Sequence, residues 1–223
     1  MQSDIKTKAL VLRRTNYSEA DRIVNFITPE GKISAIAKGV RKEKSKLAGG
    51  MELFSLIQIN IHHGKNEMGV VTSAKMLKFY SALLKDYDRM QLAALILKKI
   101  NSVAENSNSA DYFDLALQSL EALNNGIDID LVESWFLLNI SKASGEEINL
   151  YRDVSGERLK ADRRYAWNAM EKAFQSVENG EFGADEIKVL RLILTAKLVL
   201  VSRIKGIPGM QKQILMLART FHM

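Results

Sequence analysis

The 223-residue sequence contains no cysteine. Disulfides, thiolate metal sites and a cysteine nucleophile are therefore excluded, and a reducing compartment suits such a chain. The opening stretch MQSDIKTKALVLRR holds no apolar run of signal-peptide length. The most apolar C-terminal stretch, Val189 to Ile204, is interrupted by Arg191, Lys197 and Arg203. It is too short and too charged to span a bilayer. The expectation is a soluble, cytoplasmic protein without membrane segments. A Gly-rich phosphate cradle followed by Lys-Ser/Thr is missing, as are a Gly-x-Ser-x-Gly elbow and any other catalytic constellation. Nucleotide hydrolysis and enzymatic turnover in general find no support.

Histidine is scarce, with 3 residues, and the one pair is His62–His63. Adjacent strand residues point to opposite faces, so one ion cannot easily take both. Asp128 and Asp130 precede a predicted helix, where acids cap the chain and suit the helix dipole. No metal and no cofactor is expected.

What is present is a hydrophobic fraction of 47%, enough for one large core or two small ones. Positive charge is concentrated at one end. Residues 1–80 carry 14 Lys and Arg against 7 Asp and Glu, a net of +7, whereas residues 81–223 carry 18 against 19, a net of −1. That division suggests a polyanion-binding module joined to a neutral one.

The first eighty residues read as strands: Lys8 to Arg13, Arg22 to Thr28, Lys32 to Lys38, Leu53 to His63 and Val70 to Phe79. Pro29–Glu30–Gly31 marks the turn of a hairpin. About five short strands suggest a small barrel ending near Phe79 to Leu84. From Leu83 the apolar period lengthens to three and four residues. Helices are predicted from Met90 to Val103, over Tyr112 to Leu123 and Leu131 to Ile140, then over Tyr165 to Val177 and Ile187 to Ile204. A last short helix, Met210 to Arg219, follows the Gly206–Ile207–Pro208–Gly209 break. The polar stretch between Gly145 and Asp162 is predicted to be an irregular loop or small hairpin. The fold class is α+β: an all-β barrel over 1–80, then an all-α domain over 81–223 with a cysteine-free irregular insertion near 145–162.

The densest charge lies directly after a predicted strand, in Lys38-Gly-Val-Arg-Lys-Glu-Lys-Ser-Lys46. Lys38, Arg41, Lys42, Lys44 and Lys46 put five cations within nine residues. Cations on one loop can track phosphates and release condensed counterions. A solvated charged loop is the plainer alternative. Arg13, Arg14, Arg22 and Lys32 are placed to extend the surface. Phe26 and Phe54 sit in apolar strands and read as core, whereas Tyr17, in the polar segment TNYSEAD, is the candidate for stacking on a base.

The ordered blocks Ala9-Leu-Val-Leu12, Asn16-Tyr-Ser-Glu-Ala-Asp-Arg22, Phe26-Ile-Thr-Pro-Glu-Gly-Lys32, Ala37-Lys-Gly-Val-Arg-Lys42 and Ser45-Lys-Leu-Ala-Gly-Gly-Met-Glu-Leu-Phe-Ser55 resemble the N-terminal domain of the RecO recombination-mediator family. The resemblance covers residues 5–80. It implies an OB-fold followed by a helical domain, and binding of single- and double-stranded DNA with annealing of complementary strands. It also implies partnership with RecR and single-stranded DNA-binding protein, and assistance to RecA loading in DNA repair. Many relatives carry a four-cysteine zinc insertion; the corresponding stretch here, Glu146 to Arg164, has none, so zinc is not carried over. Packing through Tyr151 and Tyr165 is the candidate replacement. With the resemblance, Lys197, Arg203 and Lys205 become candidates for docking the acidic tail of single-stranded DNA-binding protein. An RNA-binding OB-fold protein of the translation or ribosome machinery is the alternative, since charge alone does not separate DNA from RNA.

Overall fold

Period-two patterning in the first eighty residues becomes five strands: β1 Ser3–Tyr17, β2 Asp21–Thr28, β3 Gly31–Ala37, β4 Ser55–His63 and β5 Gly69–Phe79. The computed structural model describes residues 3–64, 68–104 and 110–222. They form two compact units, Met1–Asn125 and Gly126–Met223.

In the first unit the strands close into a barrel in the order β1-β2-β3-β5-β4. β1 is long enough to serve two neighbours: residues Leu10 to Tyr17 pair with β2, and Ser3 to Leu10 pair with β4. A short parallel contact, Ala35 opposite Gly69 and Ile36 opposite Val70, closes the ring. Register shifts fall in β1 between Val11 and Arg13 and at two places in the β4–β5 pair. Bulges of this kind bend a strand and raise its twist, which a closed sheet of five strands requires. Val11, Val24, Phe26, Ala35, Ile57, Ile59 and Ile61 fill the interior. The β2–β3 turn is held by the Thr28 hydroxyl, which donates to the Gly31 carbonyl at 2.9 Å. Thr7 of β1 donates to the Glu30 carboxylate of the same turn at 2.9 Å, and this bond pulls the Glu30 pKa below its ordinary value.

β5 ends at Phe79, and α1 (Tyr87–Val103) begins after one 3-10 turn. Asp86 caps α1, its carboxylate accepting from the amides of Asp88 and Arg89. The change of period therefore marks the end of the barrel. The compact unit runs further, through α2 (Ala110–Asn124) to Asn125. The reason is apolar surface outside the barrel. Leu10 and Ile27 are cross-strand partners, fully buried, yet outside the barrel core. Side chains beside them reach the helices: Asn25 donates to Asn101 at 2.9 Å, and Lys32 Nζ to the Asn101 carbonyl at 2.7 Å.

The second unit holds α3 (Ile129–Ala143), a hairpin of β6 (Tyr165–Asn168) and β7 (Ala173–Ser176), α4 (Ala184–Thr195), α5 (Leu198–Val201) and α6 (Gln211–His222). Asp128 caps α3, accepting from the Leu131 amide at 3.1 Å. Two sequence expectations are corrected here. Residues Tyr165 to Val177 are not a helix, so this part of the chain is not all-α. Asn168 folds back to accept the amides of Met170 and Glu171, and Lys172 takes φ +46. That turn brings Trp167 opposite Phe174, with ring centroids 5.3 Å apart. Alternating aromatics on a two-stranded ribbon gain these cross-strand contacts, which a helix would separate.

The second correction concerns Ile187 to Ile204, which is broken at Ala196 (φ −110, ψ 153). Two donors on α3 take carbonyls at the break: Trp135 Nε1 donates to Ala196 at 3.1 Å and Asn139 Nδ2 to Ile193 at 2.9 Å. Their capture offsets the cost of ending the helix there.

The cysteine-free stretch 146–164 is organised by packing and hydrogen bonds. Ile148 and Leu150 are buried, and the Leu150 carbonyl accepts from Arg191 Nη2 at 2.8 Å. The Arg191 guanidinium lies 4.7 Å from the centre of the exposed Tyr151 ring. Tyr165 is buried, and its hydroxyl accepts from the Lys160 amide at 2.7 Å. Asp153 ties its own turn together, accepting from Ser155 and Glu157; the Ser155 hydroxyl is the main cause of its lowered pKa.

Candidate nucleic-acid interface

The connection from β3 to β4 is built to hold its backbone still while its cations face water. Gly39 has φ +63, a conformation that costs a residue with a Cβ about 1 kcal/mol or more. This lets its amide donate to the Asp21 carboxylate at 2.7 Å, and two residues later the Arg41 amide donates to the Ala20 carbonyl at 2.9 Å. Both acceptors belong to the start of β2 and the turn before it. Val40 and Met51 turn inward and join the barrel core. Gly50 lies so close to β5 that an added Cβ would sit 2.5 Å from the Ala74 carbonyl oxygen. The segment is thus pinned at both ends.

Between these pins Lys38, Arg41, Lys42, Lys44 and Lys46 are all exposed. None of the five makes an ion pair among the described residues. Glu43 is the only acid in the run. Like charges held this close repel, and an anion laid across them relieves the repulsion.

Other sequence candidates are distributed around this loop. Tyr17, 51% exposed, ends β1 opposite Asp21, so it stands beside the pinned start of the loop. Arg22 pairs in register with Ala37, the residue before Lys38, and its Nε donates to Asn16 at 3.2 Å. Arg14 is different: its guanidinium binds the Glu52 carboxylate at 2.7 Å and reaches the Met51 carbonyl. It holds the return of the loop rather than presenting a free charge. Arg13 is exposed, whereas Lys32 is turned to the Asn101 carbonyl. Phe26 and Phe54 are buried, while Phe79 is 38% exposed. Lys197, Arg203 and Lys205 are exposed in the second unit, but the break at Ala196 leaves them on no common helix: Lys197 is the N-cap of α5, and the other two follow it.

Two residues that position the site escape sequence reasoning, Asp21 and Glu52. Each is an ordinary surface acid by type, and only the fold brings them to Gly39 and Arg14. Among the described residues no cluster of three or more His, Cys, Asp or Glu that could hold a metal is assembled, and no helix is long and apolar enough to cross a membrane.

A five-stranded closed barrel carrying a basic loop anchored at both ends, with helices in the same unit, defines a class of small β-barrel proteins with positive charge concentrated on one loop. Comparison with known proteins narrows the class. Residues 1–80 match the family described as Recombination protein O N terminal, and residues 84–222 match Recombination protein O C terminal. The chain belongs to the RecO family. It is 34% identical over 150 residues to DNA repair protein RecO of Roseiflexus sp. (strain RS-1), a match covering 66% of this chain and 52% of that protein. It is 34% identical over 167 residues to DNA repair protein RecO of Heliobacterium modesticaldum, covering 74% and 60%. With DNA repair protein RecO of Alkaliphilus metalliredigens it shares 28% identity over 211 residues, covering 93% and 84%. The matches to the first two thus span between about half and three-fifths of those proteins' own length.

Proposed function

We propose that this chain is a non-enzymatic DNA-binding mediator of recombination and repair, which binds single- and double-stranded DNA and anneals complementary strands. The observation that carries the reading is the pinned loop: five exposed cations without ion pairs among the described residues, held against the β1–β2 turn beside exposed Tyr17. A loop anchored at both ends loses less entropy on binding than a free one, so less of its phosphate-contact energy is offset by ordering. The closed order β1-β2-β3-β5-β4 fits an OB-fold, in which the loop between β1 and β2 borders the oligonucleotide site. Single strands lie along the cations, and Tyr17 stacks on a base. Phosphate contacts are blind to sequence, so binding is general.

Family membership further supports partnership with RecR and with the acidic tail of single-stranded DNA-binding protein, and a role in loading RecA. Lys197, Arg203 and Lys205 are the candidate tail contacts, lying close in sequence to exposed Val199 and Leu200. Titration of a labelled tail peptide against the full chain and against a variant with all three changed to Ala tests that assignment; equal binding by both rejects it. The principal function is tested by competing RNA against labelled single-stranded DNA of equal length. Preferential retention of DNA supports the reading, and equal or stronger binding of RNA refutes it. Cleavage of either strand would refute the non-enzymatic reading.

A further inference from the structure

On the side of the barrel formed by the first half of β1 with β4 and β5, the register aligns residues that the loop site does not use. Lys8 is paired with Gln58, and Gln58 with Lys75; Lys6 is paired with Asn60, and Asn60 with Ser73. Their neighbours along each strand, Ala9, Ile57, Ile59 and Ala74, contribute to the interior. The aligned side chains therefore point outward. Lys6, Lys8, Lys75 and Ser73 are exposed, and Gln58 and Asn60 are half-buried. None of the three lysines makes an ion pair among the described residues. These strand stretches hold one carboxylate, Asp4, and it is engaged by His62 at 2.6 Å. The fourth lysine on these strands, Lys78, is neutralised by Glu121 at 3.0 Å.

From this register we infer that the outer face of β1, β4 and β5 is a second nucleic-acid surface, which holds the sugar–phosphate backbone of a DNA segment other than the one on the loop. The inference rests on the DNA-binding reading above. Two features carry it. The β1 part of the face is set apart from Tyr17, Lys8 lying nine residues from it, about 30 Å of chain along β1 at the usual strand rise, whereas Lys75 follows Ala74, against which the loop returns at Gly50. Its chemistry also differs. The loop offers clustered cations and an exposed ring, which suit unpaired bases. The sheet face offers lysines about 7 to 10 Å apart, interleaved with amide and hydroxyl groups, and no aromatic in either aligned row. Amides and hydroxyls hydrogen-bond phosphate and sugar oxygens. Without a stacking platform the face takes the outside of a strand whose bases are already paired. A chain with both surfaces holds one strand open and keeps the growing duplex close to it, which is what annealing needs.

The test uses the full chain and two variants, K6A/K8A/K75A and R41A/K42A/K44A. Three quantities are measured: affinity for a short labelled oligothymidylate, capture of a labelled duplex by protein already saturated with oligothymidylate, and the annealing rate of complementary strands. The sheet variant is expected to bind oligothymidylate within about twofold of the parent. Its duplex capture should lose about 2 to 3 units of salt slope and its annealing rate should fall about tenfold or more, because three phosphate contacts are gone. The loop variant should lose oligothymidylate first. Melting temperature checks that both variants are folded. Unchanged duplex capture and annealing in the sheet variant overturn the inference. So does a parallel loss of all three quantities, which would mean one continuous surface. Loss of polyglutamate binding with duplex capture intact would also overturn it, assigning the face to an acidic protein segment. A parent chain that binds no oligothymidylate would instead overturn the reading beneath it.

Discussion

Replacing Arg41, Lys42 and Lys44 together by Ala removes three of the five exposed cations of the loop and touches none of its anchors. Gly39 still donates to Asp21, the backbone amide at position 41 still donates to Ala20, and Val40 and Met51 stay in the core. If each side chain neutralises one phosphate, each contributes about 0.7 to 0.9 to the dependence of log affinity on log salt. Three contacts then flatten the slope by about 2 to 3. Counted from 1 M salt, the same terms weaken binding by about a thousandfold at 50 mM and about fiftyfold at 200 mM. Stability should hardly move, since exposed charges contribute little and the change relieves repulsion; a melting shift within roughly 2 °C is expected. Fluorescence anisotropy of a labelled single strand at several salt concentrations reads both quantities. An affinity loss that stays constant with salt would refute the counterion argument. Unchanged affinity and slope would show that the loop is only a solvated turn.

Asp21→Ala leaves every cation in place but frees the loop; amide exchange at Gly39 and Arg41 should quicken and affinity fall several-fold, whereas a variant with unchanged exchange would show that the 2.7 Å bond does not hold the loop. Phe174 is fully buried and contacts the rings of Tyr165, Trp167 and Phe182, so Phe174→Ala should cost about 3 to 5 kcal/mol. Both tryptophans, Trp135 and Trp167, belong to the second unit, so their fluorescence in a denaturant titration reports that loss there. The folded pKa of Asp153 is depressed, so the unfolded chain takes up this proton first. Its stabilisation is complete above the unfolded value near 4 and is lost as pH falls through the folded one. Asp153→Asn should therefore flatten the acid limb of stability; a parallel acid limb in the two proteins would contradict this.

Much of the first unit was legible in sequence because its signals are local. β-Branched residues alternate, Pro29–Glu30–Gly31 turns the β2–β3 hairpin, and the loop cations are contiguous. The polar end of β1 was less visible. Arg13 to Tyr17 have no apolar alternation, and they are strand because β2 satisfies their backbone. Tyr165 to Val177 reads as a helix in sequence, because the turn that makes it a hairpin depends on one side chain, Asn168. The break at Ala196 depends on Trp135 and Asn139, 61 and 54 residues from the carbonyls they take. For the site, the cations were plain but their supports were not. Arg14 reads in sequence as another free charge, and only the fold sets Glu52, 38 residues on, against it. The patch of Lys6, Lys8 and Lys75 exists only once two strand registers are known.

The central claim is that this chain brings complementary DNA strands together without chemistry of its own. The most direct measurement is the rate at which the full chain anneals two complementary strands already coated with single-stranded DNA-binding protein, without nucleotide or added metal. The account predicts acceleration over the coated strands alone, lost with R41A/K42A/K44A and diminished as salt rises. Annealing no faster than the coated strands by themselves, or acceleration that survives removal of the loop cations, would contradict it.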